Sequence, residues 1–94
     1  MVLKTYQPYR VPLQKSNSEW LVSDFYSAAW LHACGHELLG LEREVGNHGT
    51  RAVFLFSDSG VFEADYDRFI AGEEIGVQKF LASVKVVKCV LRNR

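Results

Sequence analysis

His32, Cys34 and His36 spell H-x-C-x-H, which crowds soft and imidazole metal ligands into five consecutive residues of a 94-residue chain. Structural zinc sites pair their ligands across two to four intervening residues, twice over, and no second pair follows here. On a helix, positions 32 and 34 diverge by about 200°. The expectation is therefore a buried thiol and two ordinary histidines, with no metal and no other cofactor. Glu63, Asp65 and Asp67 offer carboxylate oxygens but lack the Asp-rich pattern of a calcium loop, so they read as a solvated helix face. Nucleophilic catalysis needs a nucleophile, a base and an orienting group held together. The serines read as caps and turns, Cys34 and Cys89 sit in apolar helical runs, and G-x-S-x-G, a Gly-rich phosphate loop and H-E-x-x-H are all missing. An enzyme would need a polar, concave cluster around His36, Glu42 or Asp58.

Binding chemistry has better material. Lys85, Lys88 and Arg92, continued by Arg94, fall at spacings that share one helix face. The N-terminal segment mixes cations with stackable rings through Lys4, Tyr6, Tyr9, Arg10 and Lys15, a combination suited to phosphates and bases. The candidate nucleic-acid contacts are thus Lys85, Lys88, Arg92, Arg94 and Arg10. Against them, eleven Lys and Arg balance eleven Asp and Glu, so no overall field draws a polyanion. The plainer reading is that the stripe complements a helix C-terminus and the acidic second helix. The working expectation is a non-enzymatic interaction module, with a nucleic-acid-binding accessory protein as the alternative and a small enzyme behind both.

These residues must be held by a single core, since 48% of the chain is hydrophobic and its length suits one domain. Residues 1–18 read as an extended arm, with Pro8 and Pro12 and no helical period, and residues 19–94 as the domain. Glu19–Val22 is a short strand, followed by Ser23 or Asp24 as a helix cap. The helix should run from Asp24 to about Cys34 and stop at Gly35. It is apolar on most sides and should be deeply packed, with Ala28 and Ala29 allowing close approach to a sheet. From His36 the period becomes two, with Leu39, Leu41 and Val45 facing one way and Gly40, Glu42 and Glu44 the other, interrupted once by Arg43. A turn cluster, Gly46–Thr50, leads into the β-rich run Arg51–Phe56, which makes an antiparallel hairpin. A second helix spans Phe62–Ala71, ended by Gly72, and a third follows the i, i+3, i+4, i+7 rule from Val77 to Leu91. The expected fold is α+β, a small antiparallel sheet of a hairpin plus a short strand packed with three helices in the order β-α-β-β-α-α.

Several of these runs carry a resemblance. Ser23-Asp24-Phe25-Tyr26-Ser27-Ala28-Ala29-Trp30-Leu31, Gly35-His36-Glu37-Leu38-Leu39-Gly40-Leu41-Glu42, Val53-Phe54-Leu55-Phe56, and Phe80-Leu81 with Lys85 and Lys88 resemble a small bacterial and phage family catalogued as a domain of unknown function. The resemblance spans roughly Trp20 to Leu91 and rests on caps, glycine stops and core positions. It implies a fold and a bacterial or mobile-element origin, and no chemistry. The long N-terminal arm and Cys34 depart from the pattern.

The strand Ala52–Phe56 is apolar on both faces, as it would be if each face were covered or if it lay at the centre of a wider sheet. A second copy could supply that cover. The sequence-level expectation is a twofold homodimer built on Trp30, Val53, Phe54, Leu55 and Phe56. Two cysteines are too few for a disulfide framework, and no apolar run reaches the ~18 residues of a membrane span. The expected location is cytoplasmic.

Overall fold

Gly49–Ser57 (β5) carries the β-formers Thr50, Val53, Phe54 and Phe56 and apolar residues on both sides, and it occupies an interior place in the sheet. The structure, a computed structural model describing residues 2–3, 14–16, 18–46 and 49–93, pairs it on one edge with Glu19–Val22 (β3) and on the other with Leu38–Gly46 (β4). Gln14–Ser16 (β2) adds to the outer edge of β3, which gives an antiparallel order β2-β3-β5-β4. Val2–Leu3 (β1) and Ile75–Gly76 (β6) form a separate two-residue pairing. With helices Phe25–Ala33 (α1), Phe62–Ile70 (α2) and Val77–Arg92 (α3), the protein is the α+β domain its sequence predicts, in the order β-α-β-β-α-α from residue 19 onward apart from the two-residue β6 between α2 and α3. The described parts of the N-terminal arm, β1 and β2, are strands paired with the domain.

Helix α1 starts where Asp24 Oδ2 accepts from the Ser27 backbone N–H at 2.8 Å and from Ser27 Oγ at 2.7 Å, satisfying an orphan donor of the first turn. It ends at Gly35, whose φ of +100° is a left-handed conformation glycine adopts without strain. Between these stops Ser27, Ala28, Ala29, Trp30, Leu31 and Ala33 are all buried. An amphipathic helix would show one wet face; α1 does not, because it packs on β3 as well as on α2 and α3. The core on this side of the sheet joins Val22, Leu41, Phe54 and Phe56 to Trp30, Phe62, Phe69, Phe80 and Val87.

Strand β4 departs from the predicted alternation. Leu38 pairs with Phe56 and Gly40 with Leu55, so Leu39 is the extra residue of a β-bulge. The bulge resets the phase: Leu38 and Leu41 pack toward the core and Leu39 is exposed, while Val45, in phase with Leu41, is 85% exposed next to the hairpin turn. Arg43 keeps phase with Leu41, and its guanidinium donates to the Leu91 carbonyl at 3.3 Å, satisfying a C-terminal carbonyl of α3.

Candidate functional site

Two polar assemblies stand out. The first forms where α1 ends and the β5–α2 turn begins. His36 follows Gly35 out of α1, and its imidazole is folded under α2, where Nε2 lies 2.6 Å from Asp65 Oδ2. Ser59 Oγ lies 3.2 Å from the other ring nitrogen, Nδ1. Burial pushes the Asp65 carboxyl up, but hydrogen bonds from His36 and Arg68 outweigh it and hold the group below its ordinary range. An ionised Asp65 accepts the hydrogen bond from Nε2–H, and in the neutral imidazole Nδ1 is then the acceptor for the Ser59 hydroxyl. Arg68 donates to Asp65 Oδ1 at 2.7 Å and to Glu73 Oε2 at 2.6 Å, and its guanidinium lies over the Trp30 ring.

Ser59, His36 and Asp65 therefore stand in the order of a nucleophile, base and carboxylate. Their surroundings make them a staple. An imidazole that activates a hydroxyl must then hand the proton to a leaving group, which requires an open edge. The His36 side chain is 3% exposed, and Phe62 packs edge-to-face against it at 4.9 Å between centroids. The Ser59 oxygen is also 3.4 Å from the Val61 N–H, closing a turn ahead of α2. The group binds the end of α1, the β5–α2 turn and α2 together.

Of the positions named for an enzyme, His36 and Asp58 both lie at this junction, whereas Glu42 is exposed on β4 opposite Val53. Asp58 holds the neighbouring strand. It accepts from Lys15 Nζ at 2.6 Å, from the Gly60 N–H at 3.1 Å and from Trp20 Nε1 at 3.2 Å. Those bonds, the Lys15 one foremost, bring its carboxyl down to about 2. Lys15 is thus committed to Asp58 and to the Trp20 ring 5.2 Å below it, and is not the free phosphate contact the arm suggested. The two histidines of H-x-C-x-H turn to different helices, His36 to α2 and His32 to α3, where His32 Nδ1 meets the buried Ser83 Oγ at 2.9 Å. Burial pushes the Cys34 thiol up to about 11, with the Asp65 charge adding to the effect.

The second assembly is the outward face of α3. Lys85, Lys88 and Arg92 are exposed there, with Lys79 about 120° or more around the axis from them; the helix carries no acidic residue, and among the described residues none of these cations makes an ion pair. The predicted complement, the acidic second helix, is engaged elsewhere, since Asp65 serves His36 and Arg68. Residues 62–74 hold Glu63, Asp65, Asp67, Glu73 and Glu74 against Arg68, a net of −4; α3 holds four cations against none, a net of +4. A chain neutral overall thus carries blocks of opposite charge. Arg10 and Arg94, the other two expected contacts, lie outside the described residues.

The expected dimer residues are placed differently. Trp30, Val53, Phe54 and Phe56 are buried within the one chain, and Leu55 is half-buried. Trp30, Phe54 and Phe56 belong to the core shared by the sheet and the helices, whereas Val53 and Leu55 alternate onto the other face of β5. No helix among the described residues is long and apolar enough to cross a membrane. Comparison with protein-family models, curated proteins and solved structures finds no match to this chain.

Proposed function

We propose that the protein is a non-enzymatic interaction module that engages an anionic partner through the outward face of α3. The observation that carries this is the set of three exposed cations, Lys85, Lys88 and Arg92, on one face of a helix with no acid of its own and no described ion-pair partner. Lone surface lysines contribute little to stability, and a pair formed within the molecule would quench their field. Without an ion-pair partner among the described residues, and held on a rigid, packed helix, they concentrate positive potential on one face of a neutral molecule. Lys85, Lys88 and Arg92 lie on one line along the helix, so a single extended anion can meet all three.

The test compares two substitutions of equal charge. Lys88→Glu on α3 and Arg51→Glu on β5 each change the net charge by the same amount, and both positions are exposed. On immobilised heparin at low salt, the native chain should be retained, Lys88→Glu should elute at clearly lower salt, and Arg51→Glu should elute near the native position. Equal behaviour of the two variants, or no retention of the native chain, would sink the proposal.

A further inference from the structure

The outward side of α3 is more than a line of charge. Gln78, Leu81, Lys85, Lys88 and Arg92 follow one another at alternating spacings of three and four, which sets them in one stripe along the helix. Beside it runs a second stripe of small and apolar residues, Ala82, Val86 and Cys89. Leu81 is 49% exposed and Val86 40%. Gln78, Leu81, Ala82, Val84, Lys85 and Lys88 line a groove of about 440 Å³, its floor apolar and its rim cationic. At the N-terminal end of the same helix the exposed ring of Tyr26 stacks on Phe80 at 6.4 Å.

Resting on the reading above, we infer that this face docks an acidic, amphipathic helical segment of another protein. The partner's apolar side chains cover Leu81 and the Ala82–Val86 stripe, and its carboxylates reach Lys85, Lys88 and Arg92. The charge complementarity selects an anion, since the face carries only positive charge. The apolar half selects a peptide over a nucleic acid. A phosphodiester backbone gains nothing from an exposed Leu and Val, and the exposed ring beside α3, Tyr26, is stacked on Phe80, five to twelve residues up the helix from Lys85, Lys88 and Arg92. An amphipathic helix uses both halves, laying apolar anchors into a groove at i, i+3, i+4 and i+7. From Leu81 to Arg92 the axis advances about 16 Å, so the matching acids fall roughly four, seven and eleven residues from the apolar anchor.

The experiment titrates the full chain with two labelled synthetic helical peptides of equal negative charge. One carries Leu beside its glutamates at those spacings; the other has Gln in place of Leu. A short DNA duplex is the third probe. The expected result is that the Leu-bearing peptide binds about tenfold more tightly than its Gln control, the gain from burying one apolar anchor. Leu81→Ser, a surface change whose fold circular dichroism checks, should erase that difference, and Lys85→Glu with Lys88→Glu should weaken both peptides about tenfold or more. Saturating peptide should also slow alkylation of the exposed Cys89. Equal binding of the two peptides, or duplex binding tighter than either and indifferent to Leu81→Ser, overturns the peptide inference and leaves the anionic-partner reading standing. Failure of all three probes to bind at low salt ends both.

Discussion

At the level of single residues, the two cysteines differ in what surrounds their sulfur. Cys34 caps α1, half-buried, with its thiol pushed up to about 11, whereas Cys89 is exposed on α3. At pH 8 a thiol of that pKa is thiolate in about one molecule in a thousand, and only the thiolate attacks disulfides or alkylating agents. A thiol titration of the native chain should count one fast group, with the second appearing only in denaturant; two equally fast groups would contradict the burial of Cys34. The His36–Asp65 pair makes its own prediction. Because Asp65 is held below the carboxyl value of about 3.9 that it has when unfolded, its contribution is complete above that pH and is lost as pH falls through the lower folded value. The thermal midpoint should therefore decline on the acid side below about pH 4. Asp65→Asn should start lower and decline less over that range, and a parallel decline in the two proteins would remove Asp65 from the account.

Individual elements are set by caps and phase. Asp24 serves both the Ser27 N–H and the Ser27 hydroxyl, and Ser27 is buried. Asp24→Ala loses the cap and leaves that hydroxyl without its partner, so a cost of about 2 kcal/mol, the upper end of N-cap effects, is expected in urea unfolding. The bulge in β4 makes a sharper claim, because it separates two leucines only two residues apart. Leu41 is buried against Phe54, and Leu41→Ala should cost about 2–3 kcal/mol. Leu39→Thr, at the bulge, should stay within about 0.5 kcal/mol of the native protein. Similar losses at both positions would mean that the strand keeps the uninterrupted alternation its sequence suggests.

For the whole molecule, the interior place of β5 changes what its apolar residues mean. Phe54 touches the Phe25 ring edge-on at 6.4 Å and belongs to the core shared by sheet and helices. Phe54→Ala should cost about 3–5 kcal/mol, a large part of the stability of so small a domain, and should lower its urea midpoint at any protein concentration. A loss that vanished at high concentration would restore this residue to an interface between copies. The opposite charges of α3 and of the α2 region follow the same logic of placement. The formal balance of the chain is zero, yet α1 lies packed against both helices and the cations of α3 stay unpaired among the described residues.

Local rules act between neighbours, and the features they govern were legible in the residues alone. A cap at Ser23 or Asp24, the stop at Gly35, the hairpin turn within Gly46–Thr50 and the i, i+3, i+4, i+7 period of α3 depend on residues within a turn or two of one another, so type and spacing were enough. The cationic stripe on α3 was legible for the same reason. Contacts between distant residues were not. His36 meets Asp65 across 29 positions and Ser59 across 23, and Trp20 meets Asp58 across 38, pairings that exist only once the sheet order β2-β3-β5-β4 has brought those loops together. The same order decided that an apolar β5 is interior within one chain, a question its alternation left open. Whether α3 meets the acids of α2 was likewise a tertiary matter, since charge pairing depends on distance: α1 packs on both helices, and among the described residues no ion pair joins them.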